Sequence, residues 1–312
     1  MTLYNVDSKD KVSIIIPTYK RNKSFLTRAL DSVLNQSYKN IEIVIVDDNA
    51  SNELIEFRRE VDGLIKTYQD PRVKYIQNKN NLGGSLSRNA GIEGSTGNYI
   101  TFLDDDDMYL PDKVKNQLGF MISGNYDMSF TNLRLCNSKG KTIDYREYNS
   151  ITSFTNEFLL KYHMMRHITG TPTFMYKKEA IEEIGGFSDA KMGQEFFLMT
   201  KTIQNDLSIG YLKQADVIAF VHEGERISNG ANKFEGEKAL YKYKKSFFNN
   251  FSFRERMFIR FRHHIVMAIT GIRSRFYFVF FMHTLLAILS SPIDALREPI
   301  SYIKKIKNHK NN

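Results

Sequence analysis

The chain has 312 residues, of which 42% are hydrophobic and 25% charged, so it can bury the core of one large globular domain with an extension. Cys136 is the only cysteine, which excludes an intramolecular disulfide and a cysteine-based zinc site and suits a reducing cytosol. The net charge of +9 indicates an anionic partner, namely nucleic acid, a nucleotide or an acidic membrane surface. The first residues, MTLYNVDSKDKVSIII, lack the basic and apolar segments of a signal peptide.

The first half of the sequence alternates short apolar runs with stretches of helical periodicity. The apolar runs predict buried strands over Val12–Ile16, Ile41–Val46, Val73–Gln77 and Tyr99–Leu103. The intervening and following stretches predict helices over Lys23–Gln36, Glu53–Tyr68, Leu86–Gly94 and Pro111–Ser123. This order predicts an α/β fold with a mostly parallel central sheet and helices on both faces.

The second half mixes short strands with helices and then becomes helical, basic and aromatic. Strands are predicted over Met128–Leu135, Thr173–Tyr176 and Ile209–Tyr211, with helices over Thr155–His163 and Glu195–Gln204. From about Lys233 onward the pattern is helical throughout. We therefore predict a catalytic domain over 1–230, divided into halves 1–125 and 126–230, and a basic helical C-terminal extension over 231–312.

Polar clusters follow three of the predicted strands. Thr18–Arg21 follows the first strand, Asp47–Asn49 the second, and Asp104–Asp107 the fourth. Ligands of open α/β sheets bind outside the carboxyl ends of the strands. The three clusters therefore predict a single crevice.

The acidic run Asp104–Asp107 is the most specific of these clusters. Adjacent carboxylates repel one another, and a cation among them relieves that repulsion. If the backbone is extended, Asp104 and Asp106 face the crevice together while Asp105 and Asp107 turn away. Carboxylate oxygens suit Mg²⁺ or Mn²⁺. The alternative is a solvated acidic turn that caps the next helix.

Two further features suit a nucleotide. The Asp48 carboxylate can accept hydrogen bonds from a base or from ribose hydroxyls, although it can equally cap the following helix. The small-residue run Gly83–Gly91 opens a helix and contains Arg88, which suits a diphosphate contact. The run matches neither the dinucleotide-binding nor the P-loop motif, and its small residues also permit close packing of a helix on a sheet.

Three segments resemble the nucleotide-binding half of inverting family 2 glycosyltransferases of the GT-A fold: VSIIIPTYKR, SVLNQSYKNIEIVIVDDNAS and NLGGSLSRNAGIEGSTGNYITFLDDDD. The resemblance is close over about residues 11–120 and looser to about 230. It implies a GT-A-type sheet, a nucleotide-sugar donor that is usually UDP-linked, and Mn²⁺ or Mg²⁺. It assigns the metal to Asp106, and it assigns the nucleotide-sugar to Pro17, Tyr19, Arg21, Asp48, Arg88, Asp104 and Asp105.

The same resemblance implies a catalytic base in the second half. Glu195 matches the second member of an acidic dipeptide at a helix start, while Gln194 stands where the family commonly has an acid. An ordinary first-turn glutamate is the alternative. His222 matches a position near the metal in some relatives and is a candidate ligand, against a structural role; Arg226 is a candidate for the diphosphate.

These features predict a metal-dependent inverting glycosyltransferase of the hexosyltransferase type. It moves a sugar from a UDP-sugar to a hydroxyl of a glycan or lipid-linked acceptor, in bacterial surface polysaccharide synthesis. A non-catalytic nucleotide-sugar-binding protein is one alternative. A nucleotidylyltransferase on a related sheet is another, disfavoured because no glycine-rich basic loop follows the first strand. No motif supports binding of nucleic acid.

The segment from Arg254 to Lys310 contains eleven Lys and Arg residues and only three acids, interleaved with aromatic and aliphatic residues. Its longest apolar stretch, Phe276–Ile293, is near spanning length but contains His283 and Thr284. The pattern suits a cytoplasmic enzyme in peripheral contact with the inner face of the cell membrane. Packing on the catalytic domain, a homo-oligomer and a transmembrane helix are the alternatives.

Overall fold

The structure, a computed structural model, describes residues 9–168, 170–221 and 231–300. These residues divide into two compact units. The α/β unit comprises 9–156, 168 and 170–221, and the helical unit comprises 157–167 and 231–300. The predicted division between 230 and 231 falls at the edge of a segment outside the described residues, and it stays a prediction.

The described strands of the α/β unit form two sheets, and every predicted strand except the one over Met128–Leu135 corresponds to a single strand. They are β1 Val12–Thr18, β2 Ile41–Asp47, β3 Val73–Gln77, β4 Tyr99–Phe102, β5 Met108–Tyr109, β6 Met128–Thr131, β7 Leu133–Asn137, β8 Thr142–Arg146, β9 Met175–Lys177, β10 Ile209–Leu212 and β11 Val217–Val221. The first sheet has the order β10-β6-β9-β4-β1-β2-β3 and the second the order β5-β11-β7-β8. In the first sheet only β9 runs antiparallel to its neighbours, so the predicted mostly parallel sheet is confirmed.

The parallel core forms where the sequence is richest in β-branched residues. Ile14 and Ile16 in β1 and Ile43 and Ile45 in β2 are fully buried, as expected for strands covered on both faces. Ile14 lies opposite Ile43 in β2 and opposite Thr101 in β4, so β1 is flanked by these two strands in the β4-β1-β2-β3 half.

The prediction of one strand over Met128–Leu135 is wrong, because the chain changes sheet at Asn132. The Asn132 N–H donates to the Gln214 carbonyl oxygen at 2.9 Å, and the Asn132 side chain accepts from the Tyr211 hydroxyl. These bonds satisfy the polar groups where β6 ends and β7 begins. The second sheet was not predicted, and its strands of two to five residues are only partly buried.

The predicted helices are also present, with boundaries that shift by a few residues. The described helices are α1 Lys23–Leu34, α2 Ile55–Tyr68, α3 Gly83–Gly94, α4 Lys113–Gly124, α5 Asn156–Arg166, α6 Lys178–Glu183, α7 Gln194–Gln204, α8 Ala231–Lys245, α9 Phe253–Arg273 and α10 Tyr277–Ser290. All but α5 and α8 to α10 belong to the α/β unit.

Helix α3 lies unusually close to the central sheet, as its small residues allow. A Cβ atom on Gly91 would lie 2.4 Å from Ile15 Cγ2 and 3.2 Å from Val46 Cγ2. Only a glycine therefore fits at this crossing without displacing a core side chain. The start of α3 is thereby held beside the carboxyl ends of β1 and β2.

The helical unit centres on the antiparallel pair α9 and α10, as the predicted helical extension requires. Helix α9 begins with a capping box in which Ser252 and Glu255 exchange side-chain to backbone hydrogen bonds. Phe258 and Phe261 of α9 pack on Ala287 of α10. No single helix of the described residues has the length and apolarity to span a membrane; the pair Tyr277–Ser290 and Pro292–Ile300, bent by 106°, meets those criteria only when taken together.

Candidate active site

The order of winding in the seven-stranded sheet reverses at β1, which has β2 on one side and β4 on the other. A crevice forms outside the carboxyl ends of strands at such a point. Strand β1 ends at Thr18 and β4 leads into Asp104. Two of the predicted polar clusters therefore lie at the switch point.

Asp105 joins these two strand ends. Its carboxylate accepts hydrogen bonds from the Thr18 hydroxyl and from Arg21 Nε, each at 2.8 Å, and the residue is only 5% exposed. Burial raises the pKa of Asp105 to about 6, although Arg21 and Thr18 both act to lower it. Asp105 thus faces the protein and holds the acidic loop on β1, and its assignment to the nucleotide-sugar stays a prediction.

Asp104 and Asp106 are the more accessible members of the acidic run, with side chains 36% and 21% exposed. Arg88 Nη2 donates to Asp104 Oδ1 at 2.5 Å, and Arg21 Nη2 lies 3.2 Å from Asp106 Oδ2. The two carboxylates that the sequence assigns to donor and metal therefore each face an arginine. These arginines can exchange a carboxylate for a phosphate oxygen, because guanidinium groups bind both.

Asp107 is buried and joins the loop to the second sheet. Its Oδ1 accepts from the Phe220 N–H at 3.0 Å. Burial, followed by the charges of Asp104 and Asp106, raises the pKa of Asp107 well above its ordinary value. The predicted alternation of exposed and buried acids is present, and Asp107 belongs to the buried pair.

Asp48 organises the start of α3. Its Oδ1 accepts from Leu82 N and Asn78 Nδ2, and its Oδ2 accepts from Gly83 N, all at 2.8 Å. The carboxylate therefore lies at the N-terminus of α3, where it accepts from backbone N–H groups that have no partner within the helix. It caps this helix rather than α2, the helix that follows it in sequence. Its predicted contact with the base stays a prediction.

A chain of side-chain contacts links α3 to α7. Arg88 Nη1 donates to Gln194 Oε1 at 2.7 Å, while its Nη2 is the donor to Asp104. Gln194 is the first residue of α7 and Glu195 the second. Glu195 is half-buried in the first turn, and no hydrogen bond or ion pair joins its carboxylate to another described residue. The candidate base thus directly follows a residue in contact with Arg88, and its carboxylate is available to a substrate.

Pro17 and Tyr19 flank the end of β1. Pro17 is half-buried in the strand, whereas the Tyr19 ring is 39% exposed beside Lys20. Lys20 has a left-handed backbone with φ +49°, and its N–H donates to Asn49 Oδ1 at 2.8 Å. This contact brings the clusters after β1 and β2 together. His222 and Arg226 lie outside the described residues, so their predicted roles stay predictions.

Arg28 and Asn78 are crevice residues that sequence reasoning missed. Arg28 Nη2 donates to the Asp106 carbonyl oxygen, and its guanidinium lies 3.9 Å from the centre of the Phe220 ring. Asn78 bridges Asp48 and the Ser87 hydroxyl. Arg28 lies in a predicted helix on the turn after Phe25, and this was its only signal. Asn78 directly follows the predicted strand Val73–Gln77, and this position at a strand end is the signal that could have identified it.

The carboxylates of the crevice suit a divalent cation that keeps phosphate or water molecules as its other ligands. Among the described residues, no three His, Cys, Asp or Glu side chains form a metal-binding group. Asp104 and Asp106 supply two partly exposed carboxylates, and Mg²⁺ sites of substrate phosphates commonly use one or two. The described residues therefore fit such an ion as partners of a diphosphate, and do not form a complete protein cage.

Comparison with known proteins decides the family. A model described as glycosyl transferase family 2 matches residues 13–185, more than half of the chain. The chain belongs to glycosyl transferase family 2. An uncharacterized glycosyltransferase of Haemophilus influenzae is 31% identical to this family 2 chain over 224 residues, which are 72% of the chain and 83% of that protein. The resemblance inferred from the three sequence segments is thereby confirmed.

Two further proteins are similar to this family 2 chain. TuaG of Bacillus subtilis, named as a putative teichuronic acid biosynthesis glycosyltransferase, is 30% identical over 176 residues, 56% of the chain and 66% of TuaG. The crystal structure of S. aureus TarS residues 1–349 with UDP-GlcNAc has a TM-score of 0.60 at 17% identity, and covers 89% of the chain and 91% of TarS 1–349. The structural likeness confirms the GT-A-type fold.

The family 2 chain also matches parts of longer proteins. An uncharacterized glycosyltransferase of Rickettsia felis is 40% identical over 134 residues, which are 43% of the chain. The match spans 21% of that protein, about a fifth of its length.

Proposed function

We propose that this chain transfers a sugar from a UDP-sugar to a hydroxyl of a glycan or lipid-linked acceptor, with inversion at the anomeric carbon. The observation that carries the proposal is the arrangement around Arg88. This residue joins Asp104, at the end of β4, to Gln194, which directly precedes Glu195. These contacts support a donor-binding role for Asp104 and a base role for Glu195 in one crevice.

The donor's diphosphate is the leaving group of the proposed reaction. Arg21 and Arg88 lie beside the exposed carboxylates and can donate to its oxygens as negative charge develops on them. Arg88 retains a buried Nε–H without an acceptor among the described residues. Asp104 and Asp106 would hold Mn²⁺ or Mg²⁺, which when bound neutralises charge on the diphosphate.

Glu195 is the proposed general base. Its carboxylate removes the proton from the acceptor hydroxyl as the oxygen attacks the anomeric carbon from the face opposite the diphosphate. The bond from the anomeric carbon to the phosphate oxygen breaks with its electron pair on the leaving nucleotide. The proton remains on Glu195, and no covalent enzyme intermediate forms.

Membership of family 2 supports sugar transfer, and the TarS complex with UDP-GlcNAc supports a UDP-linked donor. The similarity to TuaG supports a place in the synthesis of bacterial surface polysaccharides. We extend both to this chain as proposals.

Two substitutions separate donor binding from chemistry. Asp106→Asn should abolish the manganese-dependent part of UDP-GlcNAc binding, because one of two metal carboxylates is lost. Glu195→Gln should leave donor affinity within about twofold and lower turnover by about 10²–10⁴, the usual contribution of a general base. Calorimetric titration measures the affinity, and release of UDP in the presence of acceptor measures the turnover.

Glu183→Gln provides the control, because Glu183 is an exposed acid of α6 outside the crevice. It should change neither measurement. Normal turnover of Glu195→Gln would exclude its role as base. Normal metal-dependent binding by Asp106→Asn would exclude the metal assignment, and donor binding without turnover in the parent chain would favour a non-catalytic binder.

A further inference from the structure

Helix α10 has the reverse of the polarity expected for a helix on a soluble protein. Its exposed side carries Phe278, Phe281, Leu285 and Leu289, which are 79%, 67%, 57% and 68% exposed. These residues recur at i, i+3, i+7 and i+11, so they share one side of the helix, which we name the apolar face of α10. Polar His283, by contrast, is only 9% exposed.

The buried side of α10 is already occupied by α9. Ala287 packs against Phe258 and Phe261, and the His283 ring lies against His264 with the two Nδ1 atoms 2.9 Å apart. Rotating α10 to bury its apolar face would break both contacts and expose the small Ala287 in exchange for large side chains. The apolar face therefore lies on the outer surface of the helical unit, because the opposite side of α10 packs on α9.

The apolar surface continues beyond the end of α10. In the bent segment Pro292–Ile300, Ile293 is 64% exposed and Leu296 is 74% exposed, while Asp294 is only 8% exposed. In each of these two consecutive helices, large apolar side chains are exposed and one polar side chain, His283 or Asp294, is buried. A contiguous surface of this kind marks an interaction site.

The charge of the sequence that carries this surface favours an anionic partner. Between Arg256 and Ile293 the sequence has five arginines and no Asp or Glu. Arg273 and Arg275, at the turn between α9 and α10, are both exposed. A second copy docked on the same surface would add further positive charge and supply no anion to pair with these arginines. Anionic phospholipid headgroups would instead pair with them while the acyl chains cover the apolar residues.

We propose that the helical unit docks on the surface of an anionic lipid bilayer through the apolar face of α10, with Arg273 and Arg275 on the headgroups. Helix α10 has 14 residues and is thus about 21 Å long, shorter than the roughly 30 Å hydrocarbon core. It therefore lies in the interface and does not cross it. The docking is independent of sugar transfer, so either proposal can fail while the other stands.

The chain contains no tryptophan, which permits a direct optical test. Phe281→Trp places a single indole on the apolar face of α10. Phe154→Trp places one at a residue of the α/β unit that is 46% exposed, and serves as the control. With vesicles of phosphatidylglycerol and phosphatidylcholine, the Phe281→Trp variant should shift its emission to the blue and be quenched by lipids brominated on the acyl chain. The Phe154→Trp control should do neither.

A second set of variants tests the strength of docking. The triple variant F278S/F281S/L289S removes three side chains that are each at least two-thirds exposed, so the fold should persist by circular dichroism. Its partition onto these vesicles should be about 10²–10³-fold weaker, since each of the three large apolar side chains contributes up to about tenfold. The matched variant I122S/I143S/F154S alters exposed apolar residues of the α/β unit and should bind as the parent chain does.

Binding should also weaken with salt and be weak on vesicles of phosphatidylcholine alone, because the arginines contribute through charge. Absence of an emission shift on anionic vesicles overturns the proposal. So does equal vesicle binding by the two serine triples. A concentration-dependent dimer that F278S/F281S/L289S abolishes, without vesicle binding by the parent chain, would overturn it in favour of a second copy covering this face.

Discussion

At the residue scale, the acidic run derives its meaning from the alternation of its side chains. An extended backbone would turn Asp104 and Asp106 to one side and Asp105 and Asp107 to the other. The structure produces this alternation with a turn, closed by the Asp107 N–H donating to the Asp104 carbonyl oxygen at 3.0 Å. Asp105 and Asp107 anchor the loop to β1 and β11, which leaves Asp104 and Asp106 for the crevice.

Arg88 is the residue on which the crevice depends most directly. Its planar guanidinium reaches Asp104 with one nitrogen and Gln194 with another. Lysine would keep the charge but cannot donate in both directions with this geometry. We expect Arg88→Lys to weaken UDP-GlcNAc binding by about tenfold, the effect of losing one charge-assisted hydrogen bond.

Calorimetric titration with UDP-GlcNAc and Mn²⁺ checks this expectation. Arg59→Lys is the matched control, because Arg59 forms an exposed ion pair with Glu56 on α2. The control should bind as the parent chain does. An Arg88→Lys variant with unchanged affinity would show that only the charge of Arg88 matters and that its link to Gln194 is incidental.

At the element scale, α3 connects the sequence pattern to the site. Asp48 caps its start, Arg88 projects from its first turns, and Gly91 brings its middle against β1. A helix of larger residues would be displaced from the sheet, and Arg88 would move with it.

Two glycine substitutions should have opposite effects on the free energy of unfolding, because Gly91 lies at the crossing of α3 on β1 and Gly63 lies in open space on α2. Gly91→Ala places a methyl 2.4 Å from Ile15 Cγ2, so it should destabilise the fold by about 1–3 kcal/mol, as overpacking does. Gly63→Ala in α2 meets no atom within 4 Å and should stabilise by about 0.5–1 kcal/mol through helix propensity. Unfolding in urea measures both, and a neutral Gly91→Ala would contradict the close packing of α3.

At the scale of the whole molecule, positive charge is concentrated in the helical unit. Residues 231–300 contain twelve Lys and Arg and five Asp and Glu, so this stretch accounts for most of the net charge of +9. The basic surroundings affect the histidines of this unit. For His264, burial, followed by the charges of His263, His283 and Arg260, lowers the pKa to about 4.

This shift predicts how stability depends on pH. The unfolded chain binds a proton at His264 below about pH 6.5, whereas the folded chain resists it down to about pH 4. The unfolded state therefore holds more protons in this window, and the stability contributed by neutral His264 is lost as the pH falls from about 6.5 to 4. His264→Gln should lose less stability than the parent chain over the same range.

Urea unfolding of the two proteins at pH 7, 6, 5 and 4.5 checks this difference. Comparing slopes removes the contribution of groups common to both, such as the raised carboxyls Asp105 and Asp107, which act in the opposite direction. Parallel slopes for the parent chain and His264→Gln would contradict the assigned shift.

The sequence by itself determined the parallel core, because runs such as Val12–Ile16 are too apolar to lie anywhere but in a covered strand. It also determined which ends of the strands carry polar residues, and from three motif segments it determined the family. Periodicity is a local property, and these features depend on local pattern combined with the known geometry of sheets.

Only the tertiary structure decided which side chains meet. That Asp48 caps α3 and not α2, that Asp105 accepts from Thr18 and Arg21, and that Arg88 reaches Gln194 106 residues away depend on long-range packing. The pairing of the second sheet was equally unreadable, since the apolar run Val217–Val221 does not reveal which strands lie beside it. The outward side of α10 was likewise hidden, because a helix apolar around most of its circumference does not reveal which side its neighbour will cover.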